Sequence, residues 1–185
     1  MPTMRNNFST MELYSKVSKE SDQIRRDLKI SIINNTINLP EPSLKRLKKG
    51  NNLLFNKSYW KIFEKFKDNI ITGSSSLKIF GLISREIEDV DLILLNEDKS
   101  FISKLSSDRY RGMDDPENMW GYTTMRAGSN LYYVDFFKNQ NTDYIDVDGF
   151  KVQNPIEVIC RKLNQHRSKD ILDAGNSLNN LNYFV

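Results

Sequence analysis

Apolar positions recur at helical spacing over residues 9–36, where Leu13, Val17, Ile24, Leu28 and Ile32 fall on one stripe. Ser9 followed by Glu12 three residues later is a capping-box pattern and sets the start of this helix. Asn34 and Asn35, then Pro40 and Pro42, end it. Ser43 is placed to cap a short basic helix that stops at Gly50, and residues 53–66 carry Leu54, Tyr59, Ile62, Phe63 and Phe66 on one side of a third helix. Residues 1–67 therefore read as an N-terminal helical region.

Beyond residue 68 the period changes. Residues 70–72 form a short apolar run that reads as a strand, Gly73-Ser74-Ser75-Ser76 breaks it, and residues 77–82 read as a short helix. Residues 89–95 have a nearly continuous apolar face, as a central strand does. A helix is expected at 98–107 and a loop at 114–116. Residues 121–126 and 131–137 flank Ala127-Gly128-Ser129-Asn130, and residues 144–147 and 150–152 flank Asp148-Gly149; both are hairpin patterns. Pro155 suits the first turn of a helix running to about Arg167. A last helix begins near Ser168 and frays into the Asn-rich end. The expected class is α+β: a small mixed or antiparallel sheet flanked by helices in residues 68–185, forming one compact unit with the helical segment before it.

Composition narrows the field. The 185 residues are 28% charged and 38% hydrophobic, as in a globular chain. No apolar run approaches the roughly 20 residues of a membrane span, and the first residues lack the apolar core of a signal peptide. No membrane partner and a cytoplasmic location are therefore expected. One cysteine, Cys160, excludes an internal disulfide framework, and with one histidine, His166, it argues against a Cys/His zinc site. The net charge of +3 is mild, but Lys45, Arg46, Lys48 and Lys49, then Lys57, Lys61, Lys65 and Lys67, make residues 43–67 basic. Lysine is the ordinary surface residue, so a solvated helix face explains this run; a phosphate-contacting surface for RNA is the sharper alternative.

The chemistry is concentrated in Asp89 and Asp91. Residues two apart on a strand share a face, and two steps of about 3.3 Å set these carboxylates about 7 Å apart along the chain. Val90 and Leu92 then point the other way. Two acids in an apolar context call for a cation, and Mg2+ takes oxygen ligands of this kind while leaving positions for phosphate. Asp135, alone in the aromatic and aliphatic run 132–137, becomes a third carboxylate if its strand pairs beside 89–95. Three carboxylates can hold two metals about 3.5–4 Å apart, one activating an attacking hydroxyl and one stabilising pyrophosphate. Gly73 lets backbone approach a ligand, the helix start after it favours phosphate, and the Ser74 and Ser75 hydroxyls can add hydrogen bonds. Any one of these features alone is commonplace; their order along the chain is not.

The stretch G-S-S-S-L-K-I-F-G-L-I-S-R-E-I-E-D-V-D-L resembles the signature of the nucleotidyltransferase superfamily, which has the polymerase-beta-like fold. Gly-Leu and Arg85 ahead of the D-x-D, together with residues 152–173, look most like the AbiEii-type enzymes of abortive-infection and toxin–antitoxin systems. The likeness covers roughly residues 68–175. It implies a transferase that moves NMP from an NTP substrate to an acceptor hydroxyl with Mg2+ or Mn2+. RNA or a tRNA end is the implied acceptor, and an antitoxin or other protein partner is implied with it. It further implies that Gly73 and Ser74 bind the triphosphate, that Asp89, Asp91 and Asp135 are the catalytic and metal-binding acids, and that Lys162 reaches the phosphates. Arg85 would contact phosphate or brace the loop before Asp89, and Asp170 would fill the acidic position after the lysine-bearing helix. A small-molecule nucleotidyltransferase and a catalytically silent binding module of the same fold are the alternatives.

Overall fold

The computed structural model describes residues 8–48, 63–64, 66–87, 89–95, 111–112, 119–127, 130–138 and 141–184. Helix α1 (Thr10–Ile33) starts where the capping box placed it: the Ser9 hydroxyl accepts from the Glu12 amide at 3.3 Å, and the Glu12 carboxylate accepts from the Ser9 amide at 2.8 Å. Its buried stripe is Leu13, Val17, Ser21, Ile24 and Leu28. Ile32, expected on that stripe, is 37% exposed, because the contacting face ends a turn earlier. Each fully buried Val, Leu or Ile contributes about 1.5–3 kcal/mol relative to exposure, so packing holds this helix more than its propensity does. The basic helix expected before Gly50 is a 3-10 helix, Leu44–Lys48. Within it Arg46 donates to the carbonyls of Glu41 (2.6 Å) and Ile79 (2.7 Å). That guanidinium ties the segment at Glu41 to the helix end at Ile79. Most of the helix expected at 53–66, the helix at 98–107 and the loop at 114–116 lie outside the described residues, as do Lys49, Lys57, Lys61 and Lys65.

Among the described residues seven strands make one mixed sheet: β1 (Ile70–Ile71), β2 (Val90–Leu94), β3 (Arg111–Gly112), β4 (Met119–Ala127), β5 (Asn130–Lys138), β6 (Tyr144–Val147) and β7 (Phe150–Gln153). Their order is β3-β4-β5-β2-β1-β7-β6. Strands β2 and β5 pair in parallel, as do β1 and β7, and the remaining neighbours are antiparallel. The class is α+β, as expected, with a larger sheet than the strand patterns suggested. At the β6–β7 hairpin Asp148 (φ 52) and Gly149 (φ 80) both take left-handed conformations, which match the twist of the flanking strands.

Helix α2 (Gly73–Ile79) begins four residues before its expected start at 77. Serine hydroxyls normally compete with helix formation by bonding nearby backbone. Here Ser76 Oγ donates to the Gln153 carbonyl on β7 at 2.8 Å and Ser74 Oγ donates to Asp173 Oδ2 at 3.2 Å, so that competition is removed. Helix α3 (Pro155–Gln165) is capped by Asn154 Oδ1, which accepts from the Ile156 amide at 3.0 Å, and His166 (φ 54) ends it. Helix α4 (Ser168–Asn180) does not fray at its Asn-rich end, because Ser177 and Leu178 are fully buried there. Helices α1, α3 and α4 pack on one another. Leu13, Val17, Ile24 and Leu28 share one buried cluster with Leu92, Val134, Ile159 and Ile171, so α1 belongs to the same core as the sheet.

Candidate metal centre and active site

The β2–β5 pairing assembles the acids. Parallel register sets Asp91 opposite Asp135, Val90 opposite Val134 and Leu92 opposite Phe136. Val90, Leu92, Val134 and Phe136 are buried at 1% exposure or less, which fixes the register and turns the aspartates to the other face. Asp89, just ahead of β2, joins them: ligand oxygens of Asp89, Asp91 and Asp135 lie within 4.8 Å of one another. Burial, then the neighbouring Asp89 charge, raises the Asp91 carboxyl above the ordinary aspartate range. Burial, then the charges of Asp91 and Asp89, pushes Asp135 up to about 7. Among the described residues no ion pair reaches these three acids, and a divalent ion would relieve their mutual repulsion.

Gly73 closes one side. It has φ 60, and a Cβ there would lie 1.7 Å from Asp91 Oδ2. Only glycine both adopts that conformation and leaves the carboxylate its space. The Thr72 amide donates to the Asp91 carbonyl at 3.0 Å, which fixes the β1–α2 turn against β2. Thr72 Oγ1 accepts from Arg161 at 2.7 Å and is also bonded to Gln153. Arg161 in turn lies over the Phe137 ring, 5.3 Å from its centroid.

The opposite side is basic. Lys162 Nζ sits 2.8 Å from Asp170 Oδ1 and 2.9 Å from Asp173 Oδ2. Arg85 forks onto Asp173 through Nε and Nη2, both at 2.7 Å, and Nη2 also donates to Ser74 Oγ at 2.7 Å. Arg167 pairs with Asp170. Burial works to raise the Asp170 and Asp173 carboxyls, but the hydrogen bonds and charges of Lys162, Arg167 and Arg85 outweigh it and leave both below the ordinary value. A cleft of about 320 Å³ lies between the poles, with Asp89, Asp91 and Asp135 at one wall and Lys162, Arg167 and Lys169 at the other.

Of the residues singled out from sequence, Gly73, Ser74, Asp89, Asp91, Asp135, Lys162 and Asp170 all line this cleft. Two differ in position. Arg85 ties Ser74 to Asp173 and is not in the lining of the cleft among the described residues. Ser75 is 1% exposed and its hydroxyl has no hydrogen-bond partner among the described residues, so it faces the interior. Sequence reasoning assigned no site role to Asp173, Arg161 or Thr72. The i, i+3 spacing of Asp170 and Asp173 on α4 is the signal that pairs them below Lys162; Thr72 and Arg161, 89 positions apart, leave no such signal. Comparison with protein-family models, with curated proteins and with solved structures finds no match.

Proposed function

We propose that this chain is a divalent-metal-dependent nucleotidyltransferase that moves an NMP from an NTP to an acceptor hydroxyl. The observation that carries this reading is the convergence of Asp89, Asp91 and Asp135, with ligand oxygens within 4.8 Å of one another, in a cleft whose facing wall is cationic. The donor set is all oxygen and short of positive charge, which suits Mg2+ or Mn2+. Those three aspartates would hold the ion, and once bound it supplies Lewis-acid stabilisation of charge on the reacting phosphoryl oxygens. Lys162, Arg167 and Lys169 meet the triphosphate from the other wall. Gly73 leaves backbone room beside Asp91, and Arg85 and Asp173 keep Ser74 and Lys162 in position. Asp135 takes the acceptor proton: the O–H bond breaks, a new oxygen bond forms to the α-phosphorus, and the bond to the bridging oxygen breaks as pyrophosphate leaves with the electron pair.

The test uses NTPs labelled at the α or γ phosphate, with Mg2+ and with RNA, small hydroxylated molecules or the protein alone as acceptor. Acceptor labelling from the α position, with γ label released as pyrophosphate, is the expected result. Labelled small molecules in place of RNA would select the small-molecule enzyme. Absence of transfer in every arm, or transfer undiminished in Asp89→Asn and Asp91→Asn, would overturn the reading.

A further inference from the structure

A second cleft of about 360 Å³ opens beside the first. Phe137 and Arg161 line both, so the stacked pair forms the partition between them. Its far wall comes from α1 and α3. Among the described residues that line it, four are cations, Arg25, Lys29, Lys138 and Arg161, and one is a carboxylate, Glu157. That carboxylate is occupied, since it accepts from Gln153 Nε2 at 2.9 Å. The guanidinium of Arg25 is held in place: Nη1 donates to Asn164 at 2.8 Å, Nη2 pairs with Asp22, and Nε is buried with no acceptor among the described residues. Lys29 is exposed and has no hydrogen bond or ion pair among the described residues.

We infer that this second cleft binds the phosphate of a nucleotide-type ligand. Cations gathered from separate elements around a concavity with an aromatic wall suit a phosphate ester attached to a base, whereas a neutral or cationic molecule gains nothing from them. On the nucleotidyltransferase reading, on which this part rests, the cleft is the acceptor side: a hydroxyl beyond the bound phosphate enters the first cleft past Phe137. The same phosphate chemistry is carried by a mononucleotide and by an oligonucleotide end.

Binding of AMP by calorimetry and of a fluorescent single-stranded hexaribonucleotide by anisotropy, in EDTA and without NTP, tests this on the full chain. Either probe is expected to bind, and which one binds more tightly identifies the source. Lys29→Gln should weaken the better probe about fivefold and Arg25→Gln/Lys29→Gln further, with a shallower salt dependence by about one phosphate contact per cation removed. Because Arg25 also bridges α1 to α3, the exposed Lys29→Gln and a thermal melt of each variant separate lost contact from lost fold. Wild-type affinity in Lys29→Gln and in a folded double variant, or no millimolar binding of either probe, would overturn the inference. Asp89→Asn/Asp91→Asn should bind the probe as wild type does. Intact binding by wild-type protein that transfers no nucleotide to any acceptor would remove the catalytic reading and leave this site standing.

Discussion

A Cβ on Gly73 would meet Asp91 Oδ2 at 1.7 Å in a conformation that side chains rarely adopt. Gly73→Ala should therefore destabilise the chain by about 1–3 kcal/mol in urea unfolding and lower Mn2+ affinity, because Asp91 must move. Ser75→Ala should do the reverse on stability. Its buried hydroxyl has no partner among the described residues, so removal should be neutral or stabilising by up to about 1 kcal/mol, with Mn2+ affinity unchanged. A fall in affinity would return Ser75 to the site. At this scale the sequence was legible where backbone chemistry is distinctive: Gly73 and the alternation of Asp89, Val90, Asp91 and Leu92 defined faces before any fold was known. Ser74 and Ser75 look alike in sequence, and only the packing of α2 turns one to the cleft and the other inward.

At the scale of elements, the β2–β5 pairing and the α3–α4 pair each build one wall. The second wall depends on Asp173, whose side chain is 2% exposed and which receives both Arg85 and Lys162. Asp173→Ala leaves those cations short of a partner and should cost about 3 kcal/mol of stability by urea unfolding. A loss well under about 1 kcal/mol would show that the network is not structural. The strands at 121–137 and the β6–β7 hairpin were legible because turn residues and alternation are local signals. The parallel β2–β5 pairing that makes Asp135 a neighbour of Asp91 was only a conditional expectation, since register between strands more than 40 positions apart is set by burial of Val90, Leu92, Val134 and Phe136 on the common core. The early start of α2 was hidden because serine propensity favours a turn until its hydroxyls find distant partners.

Across the whole molecule the two poles oppose each other in pH. Asp135 has a folded pKa of about 7, above the ordinary 3.8, so the folded chain holds its proton more tightly than the unfolded chain does. That contribution is complete below the unfolded value and lost as pH rises through about 7. Metal-free protein should therefore lose stability between about pH 4 and about pH 7, with a smaller loss in Asp135→Asn. Asp170 and Asp173, held below the ordinary value, act the other way and weaken the fold only at more acidic pH. Added Mn2+ should reverse the trend, because its ligands must be deprotonated. Thermal melts across pH with and without Mn2+ check both signs.

The most direct measurement is a Mn2+ titration followed by electron paramagnetic resonance, with and without an NTP analogue that cannot be cleaved between its α and β phosphates. Wild-type protein should bind Mn2+, the analogue should tighten that binding, and Asp89→Asn/Asp91→Asn/Asp135→Asn should lose both effects while remaining folded. Equal Mn2+ binding in wild type and the folded triple variant would contradict a metal centre at these three carboxylates.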